Sequence, residues 1–472
     1  MNRQKELAKN TIILTVGKIC TQFVSFLLLP LYTALLVPEE TGVVDVLNTY
    51  ITLFTPIFNW QFENGLFRFM IDERNDFDGQ KKLFSTVFLT NLIQAGAYLL
   101  LFSAVQGFIH SEFKIFLAID VALNIFLNTL LQFPRGLGKN TIYAIGSFVS
   151  AVATIVLNIV FIAVLRWGAY GMFVATMIGK IITILYLFVA MRTWKYISLR
   201  AADRTVFKEV SRYSLPLVPN QLSWWVIGAS DRTVINHFID LAANGLYYVA
   251  NKFSTMFVTF YNIFNLSWTE SVSVHMNDGD RDEFLTDVIN TMFNLFAAVD
   301  IGIIACMPFL FKFGFINAQY DEAYYQIPIL MIAVLFQVVV GLYSVVYVAL
   351  KKSKEIAKTS LFAAIINLTV DLALIKIIGL YAASVSTLVA YAAMATYRYF
   401  DAQKYVRVRF RIKNLLVTTA VGALTIALYY TRNMPANMIA LLIVIIYAFT
   451  INKSFLISTT RSIISKIKNI KH

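Results

Sequence analysis

Apolar runs of about twenty residues follow one another along nearly the whole of this 472-residue chain. A helix that crosses the hydrocarbon core needs about 20 mostly apolar residues, and within a bilayer only helices and closed barrels satisfy every backbone polar group. The sequence therefore predicts an all-α polytopic membrane protein. Hydrophobic residues are 58% of the chain, above the roughly 45–50% of soluble domains. The longest polar stretch, Arg192 to Tyr213, has 22 residues and cannot hold a soluble catalytic domain. About fourteen transmembrane helices are expected, near 11–37, 42–66, 83–105, 113–133, 142–165, 169–191, 214–239, 244–268, 287–311, 326–350, 357–378, 380–400, 414–431 and 436–453. The basic start MNRQKELAK leads into a run too long for a secretory signal, so it reads as an uncleaved first span. The links at 166–168 and around Gly379 are so short that their flanking spans must form antiparallel hairpins.

The net charge is +13. In a membrane protein the commoner source of such an excess is positive-inside loops, and no nucleic-acid partner is expected. With the N-terminus placed in the cytoplasm, 31 of the 40 Lys and Arg residues fall on the cytoplasmic side, 5 on the outer side and 4 within spans. That asymmetry predicts a multi-pass protein of the cell membrane with both termini cytoplasmic. The tail from Thr459 to His472 reads either as a basic amphipathic helix on anionic lipid or as a solvated positive-inside tail. Cys20 and Cys306 read as free thiols, and the four histidines show no metal-ligand spacing.

An internal repeat organises the chain. The segment from Gly42 aligns without gaps on that from Gly245, matching Gly42, Val46, Asn48, Phe54 and Asn59 with Gly245, Val249, Asn251, Phe257 and Asn262. Gly168 and Thr176 align with Gly379 and Thr387 at a similar offset. The expected organisation is two pseudo-symmetric six-helix bundles, 1–203 and 204–405, then two further transmembrane helices and a basic tail in 406–472. Parallel repeats of this kind bind substrate at their interface.

Polar side chains recur at helical spacing inside several spans: Asp45, Asn48, Thr52, Thr55 and Asn59; Asp120, Asn124, Asn128 and Gln132; Asn367 and Asp371. Asn and Thr commonly join helices by hydrogen bonds. An ionised group at the bilayer centre is costlier, roughly 2.5–3.5 kcal/mol on insertion scales, so Lys18, Asp45, Asp120, Lys180, Asp231, Arg232, Lys252, Asp300 and Asp371 imply a hydrated interior or internal pairing. Lys18 and Lys180 have two readings, snorkelling or an Asp partner. Asp278-Gly-Asp280 has the form of a glycosyltransferase metal motif, but in a short loop it reads as a solvated turn. No nucleophilic triad or phosphate-cradling loop is present, so the chain is not expected to be an enzyme.

Tyr213-Ser-Leu-Pro-Leu-Val-Pro-Asn220, Ser230-Asp231-Arg232 and Gly245-Leu-Tyr-Tyr-Val-Ala-Asn-Lys252, with Phe62-Glu-Asn-Gly-Leu-Phe-Arg68, resemble the signature of polysaccharide-transporter flippases of the Wzx type. This family exports O-antigen and capsule repeat units, and its superfamily also holds drug and lipid II exporters. The resemblance implies a substrate built as an oligosaccharide on undecaprenyl diphosphate, moved by alternating access for surface polysaccharide synthesis. Glycosyltransferases and a polysaccharide polymerase are the implied protein partners, and membrane lipids surround the chain. The residues expected to meet substrate are Lys18, Asp45, Asn48, Arg232, Asn251 and Lys252, because a diphosphate requires cations in low dielectric and a glycan requires hydrogen-bonding side chains. Trp224 and Trp225 read either as sugar-stacking rings or as membrane-interface anchors. The related lipid II flippases bind sodium through a residue pattern that Asp231, Asn367, Asp371 and Thr387 fit, so these four are the expected site for a coupling ion, Na+ or H+; no other cofactor is expected. The rival readings are a lipid II flippase and a drug–cation antiporter.

Overall fold

The computed structural model describes residues 26–109, 111–276, 278–350 and 352–457, without the side chains of Leu266, Glu270, Val274 and Ser353. Lys18, Cys20, His110 and the tail from Thr459 lie outside the described residues. Every regular element among the described residues is helical: α1 Leu29–Leu35, α2 Pro38–Asn59, α3 Phe62–Met70, α4 Phe77–Val105, α5 Lys114–Gly136, α6 Asn140–Asn158 with a π-helical end at Ile159–Val164, α7 Gly168–Ala190, α8 Arg204–Ser214, α9 Leu217–Phe238, α10 Leu241–His275, α11 Arg281–Lys312, α12 Ala323–Ala349, α13 Ser353–Ile378, α14 Tyr381–Ala402, α15 Ile412–Tyr430 and α16 Met434–Ile451, with short 3-10 turns between some of them.

The protein is thus an all-α polytopic membrane protein. Thirteen of the fourteen predicted spans coincide with a helix of at least 18 residues, and α1 occupies the described end of the first. Ten helices among the described residues are long and apolar enough to cross a membrane. The helices α9, α10 and α14 fall outside that set; they carry Asp231 and Arg232, Asn251 and Lys252, and Thr387. Large apolar side chains such as Ile93 and Leu100 on α4 (72% and 75% exposed) point away from the protein. They stand seven residues apart, on one stripe of the helix, as a hydrocarbon-facing surface requires.

One predicted span is corrected. The run 42–66 is not continuous, because α2 ends at Asn59 and Trp60 and Gln61 both adopt left-handed backbone, with φ of 53° and 58°. Neither is a residue that composition marks as a breaker. Asn59 Nδ2 donates to Glu63 Oε2 at 2.5 Å across the break, and both side chains are buried. The helix α3 then packs on α5 and α8.

The contacts divide into two compact units, Met1–Gly245 and Leu246–His472. In the first, α5 is central, packed by α2, α3, α4 and α7, while α9 lies along α2. In the second, α12 packs on α11 and α14, α13 pairs with α14, and the C-terminal pair α15 and α16 lies on α11. Gly168 and Gly379, matched in the sequence repeat, both take φ of +57°, the first at the end and the second at the start of a tight hairpin link, a conformation that favours glycine.

Candidate functional site

In the first unit the structure joins two of the predicted substrate residues. Pro38 at the first helical position and Glu39 and Glu40 in the first turn start α2. Glu40 accepts from Val37 N at 3.1 Å and from Ala169 N at 3.1 Å, which ties the start of α2 to that of α7. Two turns on, Asp45 meets Arg232 of α9: Arg232 Nε donates to Asp45 Oδ2 at 3.2 Å, and the two side chains are only 11% and 12% exposed. A second donor of Arg232 reaches the carbonyl of Gly228, one turn back. Trp225 lies on the same helix and donates its indole N–H to Thr49 O at 2.9 Å, so this ring has a helix-joining bond besides either role predicted for it. Asn48, three residues after Asp45, is exposed.

Lys180 of α7 donates to Asp120 of α5 at 2.6 Å, with both side chains largely buried. Of its two sequence readings, the Asp partner is the one observed. The first unit also holds a cavity of about 1150 Å³ between the starts of α2 and α7, lined by Glu39, Glu40, Glu112, Tyr50, Trp167 and Tyr170 among others. Nothing in the sequence marks these residues as a group. The signal available was the acidic pair after Pro38, which reads equally well as helix capping.

In the second unit, Lys252 of α10 places its ammonium 4.7 Å from the centre of the Tyr248 ring, a cation–π contact one turn apart. Asn251 beside it is half-buried. On α13 and α14, Asn367 Nδ2 donates to Thr387 Oγ1 and to Ser386 Oγ, both at 3.4 Å. Asp371 lies one turn along α13 from Asn367, and both are fully buried; Thr387 is 8% exposed. Three of the four predicted ion residues therefore sit on two packed helices of one unit, and their amide, carboxylate and hydroxyl oxygens are donors suited to a hard cation. Asp231, fully buried on α9, belongs to the first unit.

Arg398, in the last turns of α14, is 1% exposed. Its guanidinium donates to Thr359 Oγ1 at 3.0 and 2.8 Å, to Ser360 Oγ at 3.4 Å, to Ser344 Oγ, and to the carbonyls of Val340 and Ile356 at 3.4 Å. It binds α12, α13 and α14 together. The loop motif Asp278-Gly-Asp280 is a turn, with Asp278 paired to His275 at 2.6 Å.

This arrangement of helices is similar in fold to solved membrane transporters of the MOP superfamily. A multidrug resistance MATE family transporter of that superfamily, in its inward-facing conformation, superposes with a TM-score of 0.67 at 15% identity, covering 81% of this chain and 94% of that one. The outward-facing form gives 0.59 at 15%, covering 84% and 95%. A MOP superfamily transporter from Pyrococcus furiosus, described as having a binding pocket of reversed polarity, gives 0.59 at 13%, covering 84% and 96%. At these identities the likeness is one of fold. The sequence profile described as polysaccharide biosynthesis protein matches residues 7–269, more than half of the chain, and the chain belongs to that family. No curated protein matches it.

Proposed function

We propose that this protein flips an oligosaccharide linked to undecaprenyl diphosphate across the cytoplasmic membrane by alternating access, supplying surface polysaccharide synthesis. Within a chain of the polysaccharide biosynthesis family, the observation that carries the reading is the Asp45–Arg232 pair, a guanidinium presented between two helices at 11% exposure. A guanidinium matches the oxygens of a phosphate with parallel N–H donors. Asp45 holds it in place between turnovers, and the diphosphate competes with that carboxylate. Lys252 and Lys18 add positive charge, while Asn48 and Asn251 offer hydrogen bonds to sugar hydroxyls. Glycosyltransferases load the carrier at the cytoplasmic face, where both termini lie, and a polymerase takes the product outside. The protein itself makes and breaks no covalent bond. Repeated movement in one direction requires an energy source, and the chain has no nucleotide-binding motif. The coupling ion, Na+ or H+, acts at Asn367, Asp371 and Thr387, and drives the cycle through its different affinities for the two cavity orientations.

The test is flipping in reconstituted vesicles with a fluorescent lipid-linked oligosaccharide. Arg232→Ala is expected to lower the rate by 30-fold or more, as loss of a buried charged partner costs about 2–5 kcal/mol, and Arg232→Lys to recover only part of it. Rates equal to wild type in both variants, at matched abundance, would remove Arg232 from the pathway. Faster flipping of fluorescent lipid II than of the oligosaccharide carrier would move the assignment to cell-wall synthesis. Export of a cationic dye that is lost in Asp45→Asn would move it to drug transport.

A further inference from the structure

The second unit contains an apolar cavity, partly open to its surroundings, in whose wall Asp300 is the one charged group among the described residues. Its volume is about 460 Å³, and α11, α12, α14, α15 and Phe410 surround it. That volume lies within the roughly 300–1,000 Å³ of sites that hold drug-sized ligands. Asp300 of α11 lines the cavity and is 1% exposed, and its Oδ1 is buried with no hydrogen-bond partner. Its two oxygens make no ion pair or hydrogen bond among the described residues. The other polar groups of the wall are already engaged: Thr396 donates to Ala392 O at 2.8 Å, Thr419 to Leu415 O at 2.9 Å, and Thr418 pairs with the Tyr447 hydroxyl at 2.6 Å. Among the described residues, no lysine, arginine or histidine lines the cavity.

We propose that this cavity is a binding site for an organic ammonium ion with an apolar body, the ammonium donating to Asp300 and the body filling the space between α11, α12 and α15. Three features select this class. A buried carboxyl without a partner is costly to leave unsatisfied, and an N–H donor that carries positive charge completes it both as a hydrogen bond and as an ion pair. Phe293, Phe336 and Phe410 line the same space, and aromatic faces attract a desolvated cation. The rest of the wall, Ile301, Ile304, Leu335 and Val339 among it, offers hydrocarbon, so a polyhydroxylated or multiply charged ligand is excluded. The glycan and diphosphate of the proposed cargo do not fit this description, which makes the site separate from the transport reading.

The test uses the full-length protein in nanodiscs and two matched probes, 4-phenylbutylamine and the uncharged 4-phenylbutanol, titrated calorimetrically against loaded and empty discs. Wild type is expected to bind the amine at least tenfold more tightly than the alcohol. Asp300→Asn, which keeps the volume, is expected to remove that preference and leave the alcohol unchanged. Ala423→Phe, which fills the cavity from α15, is expected to abolish both. Equal affinity of wild type for the two probes, no binding of either, or unaltered amine binding in Asp300→Asn would each overturn the proposal. The first two outcomes need no variant, so a folding defect in either substitution cannot obscure the result.

Discussion

Gly42 and Gly245, the two glycines that the internal repeat aligns, meet each other in space. A Cβ on Gly42 would lie 1.8 Å from Leu241 O and 3.0 Å from Gly245 N; one on Gly245 would lie 1.9 Å from Pro38 O. Asn244 seals the contact by donating to Gly42 O at 3.3 Å. The obstructing atoms are backbone, so neither side can yield by a rotamer change. Gly42→Ala and Gly245→Ala are therefore each expected to destabilise the protein by about 1–3 kcal/mol, the range of overpacking in a well-filled core. Gly302→Ala on α11 meets nothing within 4 Å and is expected to be neutral or, from helix propensity, stabilising by up to about 1 kcal/mol. Thermal unfolding of the three purified variants checks the ordering.

Arg398 fixes helices through its side chain. Its bonds reach Val340 and Ser344 of α12 and Ile356, Thr359 and Ser360 of α13. Truncation strands several buried acceptors and hydroxyls and leaves a cavity, so Arg398→Ala is expected to cost about 2–5 kcal/mol. Arg398→Lys is expected to recover little, because one ammonium cannot reproduce the planar fork. Melting temperature in detergent, compared with the surface variant Lys404→Ala, measures the difference.

Spans were legible because hydrocarbon imposes length and apolarity on each helix separately, a constraint local in sequence. The hairpin at Gly379 was legible too, and it explains why Asn367 and Thr387, 12 residues before and 8 after that glycine, come into contact. What could not be read was the choice of partner. Arg232 and Asp45 are 187 residues apart, and nothing local says that Arg232 takes Asp45 or that Lys180 takes Asp120. The burial of Arg398 was not legible either, because hydropathy cannot tell a helix end that meets solvent from one buried against two neighbours. The break after α2 was missed because it lies in the φ of Trp60 and Gln61, which composition does not record. Asp300 was legible as a charge at membrane depth, but the cavity it faces is assembled by four helices.

The loop before α8 gives a pH-dependent prediction. Asp203 caps that helix, accepting from Thr205 N at 2.7 Å and Val206 N at 3.0 Å, and pairs with Lys82 at 3.0 Å. The Val206 N–H, then the Lys82 ammonium, hold its carboxyl down from 3.8 to about 2. A folded-state value below the unfolded one means the contribution is complete above about 4 and is lost as pH falls from 3.8 through 2. Asp203→Asn retains the cap but not the charge. The difference in melting temperature between wild type and this variant is expected to be constant between pH 5 and 7 and to shrink between about pH 4 and 2. A constant difference down to pH 2 would mean that Asp203 carries no extra charge-dependent stability.

The last prediction concerns the coupling ion. Asn367 and Asp371 stand four residues apart, so their side chains leave α13 on one face, and Thr387 of α14 reaches Asn367 at 3.4 Å. All three are nearly or fully withdrawn from solvent, where a dehydrated cation gains most from oxygen ligands and where a carboxylate most needs a counter-ion. Asp371 is the one charged member of this trio, so it supplies the attraction, while the amide and hydroxyl supply geometry. Asp371→Asn keeps the size of the side chain and removes the charge. It is expected to abolish sodium-stimulated flipping in vesicles while the protein still inserts, whereas Thr387→Ala removes one neutral ligand and is expected to shift the sodium dependence to higher concentration without abolishing it. Sodium and pH gradients imposed separately distinguish the ions. Stimulation by sodium at fixed pH, lost in Asp371→Asn, supports a sodium site on α13 and α14. Flipping indifferent to sodium but driven by a pH gradient, again lost in Asp371→Asn, assigns the same carboxyl to proton coupling. Wild-type response of Asp371→Asn to both gradients would take Asp371 out of the coupling mechanism altogether.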